Sequence, residues 1–202
     1  MQFEAQGGDF RRRTTGTAEK IAERSNKEVR QLHKAYMKRI VDLPAKKLNG
    51  LRVLVRSELN VETEALARSD FRLRKAITTI SYLRENGAKV IVCAHVGRKP
   101  EDSLAPISRS LKPLLPHTFL RSVVGPEVKM AVDAMVPGDV LLLENLRQHP
   151  GEVENSAEFA EELASYADLY VNDALSVANR KHASIVGVPT YIPSYAVILF
   201  AD

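Results

Sequence analysis

The 202 residues are 45% hydrophobic with only 10 Gly and 10 Pro, enough apolar content for one good core and too little bias for a collagenous or disordered chain. No apolar run approaches the roughly 20 residues that span a bilayer, no apolar signal core follows Met1, and the single cysteine, Cys93, excludes an intramolecular disulfide. The formal charge of +4 is unevenly placed, because residues 1–50 hold twelve Lys and Arg against six Asp and Glu, a net of +6, which leaves the rest at −2. The expectation is a soluble protein of the cytoplasm or another reducing compartment, with Cys93 as a small buried strand residue.

The first 47 residues read as a basic extension. After Arg11-Arg12-Arg13, the stretch from Thr17 to Val41 places Ile21, Val29, Leu32, Tyr36 and Ile40 mostly three or four apart, with charged residues between and Thr17 as N-cap. This predicts an amphipathic helix near 17–41. Its apolar stripe and basic flanks suit docking on the protein's own body, on a partner protein, or on an anionic surface, which leaves nucleic acid open. A mitochondrial transit peptide is the weaker alternative, opposed by Glu4, Asp9, Glu19, Glu23 and Glu28.

From residue 48 to 202 the texture is that of a single domain. Short continuous apolar runs at 51–56, 88–94, 117–124, 139–144 and 168–172 alternate with helical patterns near 70–86, 103–115, 126–136 and 155–166. Continuous runs suit strands covered on both faces, and the alternation predicts an α/β fold: a doubly wound parallel sheet with helices on both faces. Ligands of such sheets bind at the carboxyl ends of the strands.

Those ends are distinctive. The first strand runs into Arg56, Glu58 and Asn60, and the second into His95, Gly97 and Arg98. The fourth is followed by Glu144, Asn145, Arg147 and His149, the fifth by Asn172, Asp173, Asn179, Arg180 and His182. Guanidinium forks gathered with imidazoles match the oxygens of a phosphate or carboxylate. A metal site or a nucleophilic triad would need other residues, so no metal is expected. Neither Gly-x-Gly-x-x-Gly nor Gly-x-x-x-x-Gly-Lys-Ser/Thr occurs, so the usual nucleotide phosphate cradles are missing.

The segments "RSELNV", "AHVGRK", "LLENLRQH" and "NDALSVANRKH" occur in the order and spacing of Arg-Val-Asp-Phe-Asn-Val, Ser-His-Leu-Gly-Arg-Pro, Leu-Leu-Glu-Asn-Leu-Arg-Phe-His and Asn-Asp-Ala-Phe-Gly-Thr-Ala-His-Arg-Ala-His. Over about residues 48–196 the chain thus resembles the N-terminal domain of phosphoglycerate kinases. The resemblance implies a basic patch for 3-phosphoglycerate formed by Arg72, His95, Arg98, Arg147 and Arg180, with Asn60 on the substrate's polar backbone. It also implies that Arg72 stabilises the transferring phosphoryl group if the chain is active. Glu58, a further substrate-binding candidate, stands where the family has the Asp that contacts the substrate hydroxyl, Leu59 where it has Phe, and "LSVAN" where it has Phe-Gly-Thr-Ala-His, which puts Asn179 in the place of His. Lys99 and Gln148 depart as well, from Pro and Phe.

In the family, Mg-ATP or Mg-ADP binds a second domain, which residues 1–202 do not contain, so this chain alone is expected to hold no cofactor and to be inactive. Three readings follow. One is a non-catalytic structural or interaction subunit with the basic helix as docking arm, and a second is the 3-phosphoglycerate-binding half of a working kinase with the nucleotide domain supplied separately. The third is a 3-phosphoglycerate-sensing module.

Overall fold

The computed structural model describes residues 39–61 and 70–196. All of them lie in the compact unit Lys38–Asp202. Strand β1 (Arg52–Arg56) leads to helix α1 (Phe71–Glu85), β2 (Lys89–Cys93), α2 (Ala105–Leu111) and β3 (Thr118–Phe119). Then come α3 (Pro126–Asp133), β4 (Val140–Leu142), α4 (Pro150–Glu154), α5 (Ala157–Ser165), β5 (Leu169–Asn172) and β6 (Ser194–Ala196). The six strands form one sheet in the order β3-β4-β2-β1-β5-β6, every pair parallel.

The continuous apolar runs are explained by burial on both faces. Val53 and Val55 of β1, Val90 and Val92 of β2, and Val171 of β5 face one apolar cluster with Leu73, Ile80 and Leu83 of α1 and Ile107 and Leu111 of α2. The alternating residues Leu54, Ile91, Leu141 and Tyr170 face a second cluster with Val128 and Val132 of α3 and Phe159, Ala160 and Leu163 of α5. Period-two alternation thus feeds two cores rather than one core and solvent. The expected doubly wound sheet with helices on both faces is what these residues form.

The topology also locates the site. The chain leaves β1 and β2 for helices on the first face, whereas the segments after β4 and β5 pack on the second, Ala183 and Val188 among them. Where neighbouring strands send their connections to opposite faces, a crevice opens at their carboxyl ends. All the strand-end residues singled out above lie at that end.

Several boundaries differ from expectation for local reasons. The helical pattern at 155–166 is the single helix α5, but a short helix not expected from the sequence, α4, precedes it and ends where Asn155 takes a left-handed φ of 56°, after which Ser156 caps α5 by accepting from Phe159 N–H at 3.3 Å. The helix expected to reach 115 ends at Leu111, just before Pro113. The helix expected to reach 136 ends at Asp133, and Val136 N–H donates to the Asp139 carboxylate at 2.8 Å. The third strand is only two residues on the sheet edge, and β6 was not expected at all.

Of the amphipathic stretch 17–41, residues 17–38 lie outside the described residues, as do 1–16. Its last three residues are not α-helical. Arg39 is extended and bridges to Ala196, and Ile40–Asp42 form a 3-10 turn. Ile40 is fully buried in the first apolar cluster, with Leu43 packed against it. At Ile40, then, the stripe docks on the protein's own core, and the packing of the body begins before residue 48.

Candidate anion-binding site

Side chains from four strand ends build the site, and hydrogen bonds between their loops fix it. Gly97, after β2, has φ 61°, and a Cβ there would stand 1.9 Å from Asp102 Oδ2, so no larger residue fits. That same oxygen accepts from the N–H groups of Arg98 and Lys99, both at 2.9 Å, which shapes the turn carrying Arg98. Asn60, after β1, accepts from Gly97 N–H at 3.0 Å. Asn145, after β4, accepts from Val96 N–H and donates to the carbonyls of Val96 and Asp102. Arg147 donates to the Gly97 carbonyl. The loops after β1, β2 and β4 are therefore one hydrogen-bonded rim.

Beneath the rim runs a buried polar relay. The guanidinium of Arg56, wholly buried, donates to Ser184 Oγ, to the Ser57 carbonyl and to His95 Nδ1, each at 2.9 Å. Ser184 in turn donates from Oγ and N–H to the two carboxylate oxygens of Glu152, at 2.7 and 2.9 Å. Glu152 is also fully buried, 4.0 Å from Arg56 and 3.6 Å from His182 Nδ1. Because Nδ1 of His95 accepts from an arginine, which has no acceptor to offer, the ring proton sits on Nε2. His95 is thereby a fixed neutral donor.

The electrostatics agree. Burial, followed by the charges of Arg56, Arg147, His182 and Arg180, pushes His95 down to about 3. Arg147 is lowered by burial and then by Arg56, Arg180 and Arg98. His182 is lowered too, first by burial, against the pull of Glu152. These cations destabilise one another, which is the condition an incoming anion relieves.

Of the residues expected in the site, His95, Arg98, Arg147 and Arg180 are brought together, with Asn60 laced to their rim. Arg72 stands apart, at the start of α1. Its guanidinium pairs with Asp70 at 3.1 Å, and its side chain is about half exposed (49%). The hydrogen bond to Asp70 raises its pKa first, with the charges of Asp70 and then Glu58 adding to it. Glu58 itself accepts from the hydroxyl and N–H of Ser176. Nearby, Lys75 Nζ lies 3.4 Å from the buried Asp173 carboxylate, which burial raises to about 6. His149 has no place in the site: it accepts from Gly151 N–H at the start of α4 and stacks on Phe159 at 4.2 Å.

Sequence reasoning missed Glu152, Ser184 and the bracing role of Arg56. Glu152 and Ser184 carry no local signal, since Glu and Ser in short helical segments are ordinarily exposed. Among the described residues no group of three or more His, Cys, Asp or Glu could hold a metal ion, and no helix is long and apolar enough to cross a membrane.

The family model for phosphoglycerate kinase matches residues 42–202. This chain belongs to the phosphoglycerate kinase family. The phosphoglycerate kinase of Moorella thermoacetica is 49% identical over 157 residues, covering 74% of this chain and 40% of that protein. The chloroplastic phosphoglycerate kinase 1 of Arabidopsis thaliana is 43% identical over 197 residues, covering 93% and 41% respectively. The crystal structure of the Pyrococcus horikoshii phosphoglycerate kinase superposes with a TM-score of 0.69 at 30% identity, over 79% of this chain and 42% of that one. The chain thus spans about 40% of the length of the phosphoglycerate kinases it matches.

Proposed function

We propose that this chain is the 3-phosphoglycerate-binding half of a phosphoglycerate kinase, which transfers a phosphoryl group between ATP or ADP and the substrate's carboxylate. The observation that carries this reading is the cluster of His95, Arg98, Arg147 and Arg180 at the sheet's carboxyl end, where burial first and then the neighbouring cations keep His95 neutral and lower Arg147, which stays charged. In this reading Arg98, Arg147 and Arg180 clamp the distal phosphate by charge-assisted hydrogen bonds, and His95 donates from Nε2. Asn60, whose side-chain oxygen is taken by Gly97, offers its amide to the substrate backbone. Arg72 would reach the transferring group when the two halves close, its positive charge offsetting the charge that develops there. The Mg-nucleotide belongs to the other half of the kinase, supplied as a further domain or a separate chain. The lone buried Cys93 favours a reducing compartment, the cytoplasm first; the Arabidopsis relative carries a chloroplast in its name, which makes an organelle the alternative.

A second reading, a non-catalytic interaction or sensing module, is supported by Glu58. Its carboxylate, in the position matched to the family's hydroxyl contact, is occupied by Ser176. Calorimetric titration of the full chain with 3-phosphoglycerate tests the first claim, with an Arg147→Ala, Arg180→Ala variant as control. The expected result is binding by the wild-type protein that the variant loses by about 100-fold or more, since each arginine supplies charge-assisted bonds in a partly desolvated cleft. A folded wild-type protein that does not bind would sink the substrate-half reading. Turnover on adding a nucleotide-binding half then separates kinase half from sensor.

A further inference from the structure

Glu58 and Ser176 are 118 residues apart in sequence, and both depart from the motifs that carry the resemblance, Glu for Asp and Ser for Gly. In the fold the two departures meet. The extra methylene of Glu58 carries its carboxylate onto the turn Leu175–Val177, where Ser176 donates to it twice, from its hydroxyl to Oε1 and from its N–H to Oε2 at 3.2 Å. A Gly at 176 would supply only the second bond, and an Asp at 58 would fall short of both by about one C–C bond length.

The turn so held is the one that presents Arg180. Ala174 N–H is fixed by Asn172 at 3.0 Å, Ala178 N–H closes on Leu175, and Arg180 N–H donates to the Val177 carbonyl at 2.8 Å. Ser176, Ala178, Asn179 and Arg180 are solvent-exposed, and Val177 is the buried residue among them. Between residues 175 and 180, where Val177 is the one buried apolar anchor, the chain is held mainly by its polar ties, and the bidentate tie to Glu58 joins it to the end of β1. Glu58 itself is buried and anchored on the rigid strand end.

We propose that Glu58 and Ser176 form a latch that sets the position of the Arg180-bearing turn, making Ser176 a positioning residue for anion binding. This inference rests on the reading of Arg180 as a phosphate ligand. The latch replaces one function with another, because a carboxylate that would face the substrate instead fixes a cation that does. It also keeps the Glu58 charge away from the arginine cluster, where it would compete with an anionic ligand.

The test uses the full chain as wild type, Ser176→Ala, Ser176→Thr, Glu58→Asp and the double variant Glu58→Asp, Ser176→Ala. Two readouts are taken: 3-phosphoglycerate affinity by calorimetry and amide hydrogen exchange over residues 174–181 without ligand. Ser176→Ala is expected to weaken binding roughly tenfold and to speed exchange in that segment with the melting temperature nearly unchanged. Ser176→Thr should retain both, and the double variant should be no weaker than Glu58→Asp, since one broken latch cannot break twice. Unchanged exchange in Ser176→Ala, or strictly additive losses in the double variant, overturns the latch. If the wild-type protein binds no 3-phosphoglycerate, the substrate-half reading fails and the positioning role goes with it, while lost protection in Ser176→Ala still establishes the tie itself.

Discussion

The two flanks of the rim are built on opposite electrostatic plans. On the side of the loops after β2, β4 and β5, the cations Arg98, Arg147, Arg180 and the imidazoles face one another, and the buried carboxylate Glu152 is engaged by Ser184. On the side of β1 and α1 the charges come in pairs: Arg72 with Asp70, Lys75 with Asp173, and Glu58 held by Ser176. Balanced charges need nothing from outside and are accounted for by the fold. Unbalanced charges in a cleft cost stability until a ligand arrives, so imbalance locates the binding function better than the number of arginines does.

The comparison breaks most visibly at Arg56, the guanidinium that is wholly buried and braces the cationic side. Arg56→Met removes the cation that donates to both Ser184 and His95 and leaves the fully buried Glu152 without the positive charge 4.0 Å away. The expected cost is about 3–5 kcal/mol, read from the shift of the denaturant midpoint. The Arg147→Ala, Arg180→Ala variant should behave differently: it loses ligand at little cost in stability, because relief of mutual repulsion offsets the lost Arg147 bond to the Gly97 carbonyl. A variant that lost both together would place these arginines in the fold rather than in the function.

The fold was legible where burial imposed a pattern. The runs around Val53–Val55, Val90–Val92 and Leu169–Val171 have to be apolar at every position because alternate residues enter different cores, and that requirement survives in a single sequence. The short strands at Thr118 and Ser194 were hard to read because edge strands bury less and need less apolar content. The cation cluster was legible because strand ends converge by topology. What stayed hidden was partnership: nothing in the local sequence says that Glu152 is buried, that Arg56 turns inward, or that Arg72 is tied to Asp70. Those facts depend on contacts between segments up to 128 residues apart or on a rotamer choice.

Acid sharpens the comparison, since each side holds one buried group with a displaced pKa and the two act in opposite directions. His95, near 3 when folded against 6.5 ordinarily, binds fewer protons in the native state, so its contribution to stability is present above pH 6.5 and is lost as the pH falls toward 3. Its neighbours in this are Arg56, Arg147, His182 and Arg180. Asp173, near 6 against 3.8, binds more protons when native, so stability is gained as the pH falls from 6 to 3.8; Lys75, Thr79 and Glu58 surround it. Between pH 6 and 4 the two effects oppose each other. Asp173→Asn should therefore steepen the acid loss of stability, by up to about 1.4 kcal/mol per pH unit, and His95→Gln should flatten it. Chemical unfolding at several pH values decides this, and identical slopes for the two variants would refute the assignment.

The smallest effect expected is at Asp70, and it separates two jobs that the paired side combines in one residue. Asp70 caps α1 by accepting from Arg72 N–H at 2.8 Å and also meets the Arg72 guanidinium, whose side chain is half exposed. The cap is worth about 1 kcal/mol, whereas an ion pair that open to solvent is worth a few tenths. Asp70→Ala should therefore cost about 1 kcal/mol and Asp70→Ser almost nothing, because serine keeps the cap and gives up only the pair. Neither change should alter affinity for 3-phosphoglycerate, since Arg72 lies outside the cluster that shifts His95 and Arg147. If Asp70→Ser instead tightened binding, Arg72 would have been withheld from the ligand by its partner, and the paired side would be a reserve of charge rather than a scaffold.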